Sequence, residues 1–171
     1  MEGQAPDTWS LVYEGFDAQG EGLRETLCTL GNGYFATRGA APESAADGIR
    51  YPATYVAGAY NRLRTELSGM MVENEDLVNF PNWVRMRFRI EGGDWFDPMN
   101  TELLHYRQEL DMRRGILLRC IRFRDGAGRV TSLHERRLVH QKWPHLGAQS
   151  LVLAAENWAG EVEFESALDG R

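Results

Sequence analysis

Apolar and polar residues alternate along most of this chain, and no long stretch carries the three-to-four-residue apolar spacing of an amphipathic helix. Val84, Met86, Phe88 and Ile90 share one face of a strand, Glu91 to Asp94 supply a hairpin turn, and Trp95 and Phe96 return. A second hairpin runs from Gly115 to Arg124, turns through Asp125 to Gly128 and comes back from Arg129 to His140. Ser150 to Ala155 and Val162 to Ser166 predict two more strands on either side of the turn residues Glu156 to Gly160. Nearer the N-terminus, Trp9 to Tyr13, Leu23 to Leu30, Tyr34 to Thr37 and Tyr51 to Tyr60 read as extended, with Ala41 to Gly48 a surface loop and Tyr60 to Leu63 an exit. Leu103 to Met112 fits a strand or a helical turn equally well. Short strands punctuated by glycine turns predict an all-β fold, an antiparallel β-sandwich.

The segment LCTLGNGYFATRGA, residues 27–40, tests that pattern because glycines flank an asparagine between an apolar run and an aromatic one. A dinucleotide-binding loop needs a third glycine three residues after Gly33 and a helix opening there, but position 36 is Ala. Asn32-Gly33 reads instead as a tight turn between strands, since both residues tolerate positive φ.

The 171 residues, 43% of them hydrophobic, suffice for a buried core, and the mean hydropathy of -0.45 is that of a globular chain. A formal charge of -6 argues against nucleic acid as a partner. No run approaches a membrane span, and Met1 to Asp7 lacks the basic and apolar regions of a signal peptide, so no membrane and a cytoplasmic location are expected. Cys28 and Cys120 lie far apart with no close histidine in sequence, which predicts free, buried thiols. Lys142 is the single lysine among 19 basic residues. Arginines at alternate positions, in Arg85 to Arg89 and Arg119 to Arg124, predict strands with one face in water.

Candidate chemistry is sparse. Glu73, Glu75 and Asp76 invite a general acid and base, but glycoside chemistry needs two carboxyls roughly 5 to 9.5 Å apart with different protonation. Neighbours in one strand would share an environment, so the expectation is a solvated or salt-bridged acidic loop. The four histidines show neither HxH nor HExxH spacing, so no metal or other cofactor is expected, and no GxSxG elbow is present. Trp83, Trp95, Trp143 and Trp158 suit either a core or sugar stacking, which leaves a stand-alone carbohydrate-binding sandwich as an alternative.

In order along the chain, GFDAQGEGLRETLCTLGNGYFATRGA, YVAGAYNRL, ENEDLVNFPNW and LAAENWAG closely resemble the N-terminal domain of glycoside hydrolase family 65. The resemblance runs from about Trp9 to Gly170. That family includes maltose, trehalose and kojibiose phosphorylases and acid trehalases. The resemblance implies a large sandwich of the galactose-mutarotase type, a super-sandwich, present here as a partial domain over 1–171 and truncated on its C-terminal side. It implies a following (α/α)6 barrel, absent from this chain, that carries the catalytic glutamate and phosphate site. No residue of this chain is therefore expected to be catalytic. The implied role is an accessory and assembly domain of an enzyme cleaving α-linked glucose disaccharides. Inverting phosphorolysis with inorganic phosphate as co-substrate is the leading expectation, and a hydrolytic trehalase the alternative. The expected partners are the C-terminal barrel and its disaccharide, with a homodimer as a further expectation. Asn79, Phe80, Asn82 and Trp83 are the candidates for a loop facing the barrel or a sugar, and Asn32, Tyr34 and Arg38 for residues that reach the same side.

Overall fold

The computed structural model describes residues 9–170, so Met1 to Asp7, read above for targeting signals, lie outside the described residues. Twelve strands and one short helix follow in order: β1 Ser10–Glu14, α1 Glu21–Leu27, β2 Leu30–Gly31, β3 Phe35–Thr37, β4 Thr54–Val56, β5 Tyr60–Leu67, β6 Met70–Leu77, β7 Met86–Ile90, β8 Glu102–Asp111, β9 Ile116–Arg124, β10 Val130–Val139, β11 Gly147–Ala155 and β12 Val162–Ser166. β1-β8-β9-β10-β11 form one antiparallel sheet, β12-β7 a second, β2-β3-β4 a third, and β5-β6 a hairpin apart from the others. The all-β sandwich is thus the observed class, and Leu103 to Met112 resolves as the long strand β8 with a bulge between Leu103 and His105.

Alternation explains the main core. Tyr106 from β8, Ile121 and Phe123 from β9 and Leu133 from β10 point inward, and β7 covers them with Phe88 and Ile90. Phe96 stacks on Phe88 at 5.1 Å and meets Phe123 at 4.6 Å between ring centroids. Trp158 leans on this cluster and donates its indole N–H to Thr131 Oγ1 at 3.0 Å. A second cluster, Cys28, Leu30, Leu110, Leu117 and Val139, fills the other end of the sheet.

Between the two clusters the sheet is charged. Arg119, Glu135 and Arg137 are each no more than 3% exposed, so Arg119 does not share the watered face of Arg122 and Arg124, as its place in the arginine run suggested. Odd and even positions of β9 face opposite ways, and Arg119 belongs with Ile121 and Phe123. Its guanidinium grips both oxygens of Glu43 at 2.6 Å and stands 2.9 Å from Glu135. Arg137 bonds Glu135 and donates to the carbonyls of Arg38 and Ala40.

Buried charge also marks α1, which replaces the strand expected over Leu23 to Leu30. Glu21, Glu25 and Cys28 are spaced to line one helical face, and all three are buried, while Leu23 and Leu27 point to solvent. The helical period is therefore carried by acids and not by leucines: Glu21 pairs with Arg24 of its own helix, and Glu25 accepts from the Tyr51 N–H and lies 3.8 Å from Arg38. Burial pushes the carboxyl pKa of both Glu21 and Glu25 upward, opposed by Arg24 for the first and by the Tyr51 N–H for the second.

Two further expectations shift. Tyr60 opens β5 instead of ending a strand, because the extended stretch before it shortens to β4. Glu73, Glu75 and Asp76 lie in β6 rather than in a loop; Glu73 pairs with Arg62 and Arg64, and Glu75 with Arg62, across the hairpin.

An aromatic cleft as the candidate functional site

The β2–β3 turn, β4 and the loop after β6 border an open cleft of about 510 Å³ lined chiefly by Tyr34, Phe35, Val56, Phe80, Trp83 and His145. Turn chemistry builds its near wall. Gly33 takes a φ of 83°, open to glycine at no steric cost, and Asn32 fixes the turn by accepting from the N–H of Tyr34 at 3.0 Å and of Phe35 at 3.2 Å. The Asn32 amide also donates to the carbonyls of His140 at 2.7 Å and Pro144 at 3.0 Å, which ties the turn to the loop carrying His145. Tyr34 stands edge-on to His145 at 4.3 Å and is 42% exposed.

The far wall comes from Asn79 to Trp83. Asn79 Oδ1 accepts from the Thr54 N–H at 3.1 Å, and the Phe80 N–H donates to the Thr54 carbonyl at 2.8 Å. Asn82 is buried, caps the Val84 N–H at 3.0 Å and exchanges two backbone bonds with Asp169. Trp83 packs so closely over Gly147 that a β-carbon there would meet its ring at 2.9 Å. Within this cleft the Trp83 indole N–H and the Thr54 hydroxyl are buried without a hydrogen-bond partner among the described residues.

The structure brings Tyr34, Phe80 and Trp83 into one cleft and uses Asn32, Asn79 and Asn82 to hold its backbone frame. Arg38 lies elsewhere: it reaches the Gly22 carbonyl at 3.2 Å, 3.8 Å from Glu25, against α1. Thr54, His145 and Gly147 had no signal in the sequence, since each reaches the cleft only through strand pairing or a distant loop. Of the other tryptophans, Trp95 lies beneath the guanidiniums of Arg87 and Arg89 at 4.1 and 4.8 Å, and Trp143 stacks on His140 at 4.6 Å. A smaller cavity of about 330 Å³ at the other end of the sandwich has Phe88, Trp95 and Phe96 in its wall.

Candidates for nucleophilic or metal chemistry stay weak. Register places Cys120 opposite His134, with Sγ 3.4 Å from Nδ1, although the two are distant in sequence. Desolvation nevertheless raises the Cys120 pKa, the opposite of an activated thiolate. Both cysteines are free, Cys28 buried and Cys120 only partly so, and among the described residues no three His, Cys, Asp or Glu side chains converge as a metal site.

The profile of the glycosyl hydrolase family 65 N-terminal domain matches residues 11–171. The chain belongs to that family. It is 50% identical over 167 residues to an uncharacterized glycosyl hydrolase of Mycobacterium tuberculosis, covering 98% of this chain and 13% of the relative. It is 32% identical over 162 residues to the kojibiose phosphorylase of Caldanaerobacter subterraneus subsp. tengcongensis, covering 95% of this chain and 20% of that enzyme. Among solved structures, a putative kojibiose phosphorylase from human microbiome superposes with a TM-score of 0.86 at 20% identity, over 95% of this chain and 22% of that one, a likeness of fold. The family 65 domain thus spans between 13% and 22% of the length of these relatives.

Proposed function

We propose that this domain assembles and orients the catalytic barrel of an α-glucoside phosphorylase, with the aromatic cleft as its docking face. The observation that carries the reading is the cleft itself, where Tyr34, Phe80 and Trp83 stand together, framed by asparagines whose Oδ1 atoms are committed to backbone. Aromatic groups around unpaired donors are what a well-packed interface core covers. Phosphorolysis is favoured over hydrolysis by kinship to kojibiose phosphorylase, and it would consume inorganic phosphate and an α-linked glucose disaccharide. The general acid and the phosphate site would lie in the barrel. We further propose that the sandwich extends beyond the strands seen here: the second sheet has two strands against five, and Phe164 within it and Leu168 just after it are 51% and 77% exposed. The free thiols favour the cytoplasm, and a homodimer is the remaining partner proposed.

The test uses a polypeptide that contains both this domain and the barrel. Phe80→Ser should lower phosphorolytic turnover at least several-fold while the melting temperature of the 171-residue domain carrying the same change moves little. Turnover equal to the parent would reject the docking face. The domain alone should release no glucose 1-phosphate from any α-linked diglucoside.

A second reading, sugar binding by the domain itself, is favoured by the unpaired Trp83 N–H and Thr54 hydroxyl. Calorimetric titration with maltose, trehalose or kojibiose would separate it, because only a sugar site is saturated by a free disaccharide.

A further inference from the structure

β5 and β6 form a hairpin that pairs with no other strand among the described residues, and every residue of β5 is exposed. A two-stranded hairpin is marginal in water without further cover, and its outer edges are unpaired hydrogen-bonding templates. The two edges differ. β6 presents Glu73 and Glu75, so two copies joined along it would oppose like charges. β5 carries Leu63-Arg64-Thr65-Glu66-Leu67, which reads as its own complement about Thr65, with apolar residues matched and charges reversed.

We propose that β5 pairs antiparallel with β5 of a second copy about a two-fold axis at Thr65, giving a continuous four-stranded sheet. This deepens the homodimer proposed above and rests on it.

The hydrogen-bond parity fits. Leu67 and Met70 close the two-residue turn Ser68-Gly69, whose φ values of 53° and 80° are those of the preferred hairpin turn. Odd-numbered residues of β5 therefore bond to β6, and the N–H and C=O groups of Arg62, Arg64 and Glu66 face the free edge. Centring the two-fold on Thr65 sets Arg64 against Glu66 of the other copy, so outward-facing residues meet outward-facing residues. Any centre between two residues would break that match. The side chains agree as well. Each Arg64 meets a Glu66, which stands opposite Met71 in its own hairpin and has no ion pair among the described residues. On the other face Leu63 meets Leu67, and both lie beside Thr65 and Val72 in an uncharged stripe. The contact is isologous, so it closes at two copies and does not propagate.

Sedimentation velocity on the 171-residue chain tests this. The parent should populate a dimer at about 100 µM, as expected for a Kd on the order of 10 µM. Glu66→Arg and Arg64→Glu, each of which opposes like charges, should weaken association roughly tenfold or more. Mixed in equal amounts, the two variants should recover a heterodimer, because every pair across the two-fold then joins a carboxylate to a guanidinium. Glu66→Pro removes an outward-facing N–H without touching the bonds to β6 and should give a folded monomer. Circular dichroism confirms that each variant keeps the parental spectrum. A monomeric parent would overturn the dimer and the surface together. A dimer that withstands the single reversals, or a mixture that fails to associate, would overturn the β5 surface alone.

Discussion

Removing the charge of Glu43 tests whether the arginine layer in the middle of the sheet holds the domain together. Glu43 sits in the surface loop predicted between Ala41 and Gly48, yet both its oxygens lie 2.6 Å from the Arg119 guanidinium, 76 positions away in sequence. Side-chain exposure is 3% for Arg119 and 5% for Glu43. Burial pulls the Arg119 pKa down, but the carboxylates of Glu43 and Glu135 outweigh it and hold it well above the usual arginine value. The cation therefore cannot escape by losing its proton. With Glu43→Gln it keeps Glu135, which it shares with Arg137, so two buried cations are left with a single directly paired anion. Breaking a buried pair from one side costs about 3 to 5 kcal/mol. For a domain of this size that lowers the melting temperature by roughly 6 to 20 °C, a large part of a total stability of about 5 to 15 kcal/mol. Differential scanning calorimetry measures the shift, with Glu75→Gln on the exposed hairpin as the control, where the expected loss is about 1 kcal/mol or less. Equal shifts for the two variants would refute the reasoning, because the Glu43 pair would then behave as a solvated one.

Three further outcomes concern protonation and the cleft. Burial raises the Glu25 pKa above the ordinary 4.5, so its ionisation disfavours the folded state, and stability is lost as pH rises through the carboxylate range; Glu25→Gln should match the parent near pH 4 and equal or exceed it near pH 8 in thermal melts, and a variant that weakens with rising pH relative to the parent would contradict this. Hydrogen bonds from Arg122 and Ser132 hold Glu156 down to about 2, which works in the opposite sense, present above 4.5 and lost as pH falls toward 2. Asn32→Ala removes two donated and two accepted bonds at the cleft wall, and about 2 to 6 kcal/mol should be lost in urea unfolding if each bond contributes about 0.5 to 1.5 kcal/mol; a midpoint within error of the parent would mean that the turn does not depend on Asn32.

Sequence alone carried the strands whose pattern depends only on which side faces water. Phe88 and Ile90 in β7, and Ile121, Phe123 and Leu133 in the β9–β10 hairpin, are legible because period-two alternation marks a half-buried sheet. At the Asn32-Gly33 turn Gly33 was legible because positive φ restricts residue choice, whereas Asn32 is not at positive φ and holds the turn through its side-chain oxygen. The ordered motifs carried the family, since several of them together are more specific than any composition. Tertiary structure decided what alternation cannot encode. Leu23 and Leu27 look like strand residues, but the buried face of α1 is Glu21, Glu25 and Cys28, with Arg24, the Tyr51 N–H and Arg38 as the partners of the two acids. Arg119 looked like a surface residue until register placed it beside Glu135 and the loop folded Glu43 over it. The cleft joins Tyr34 and Phe80 to His145, residues that no local spacing relates. Local periodicity reports how a side chain is solvated in an average strand or helix, whereas a buried charge or a shared cleft depends on which distant group arrives to face it, and only the packed chain sets that.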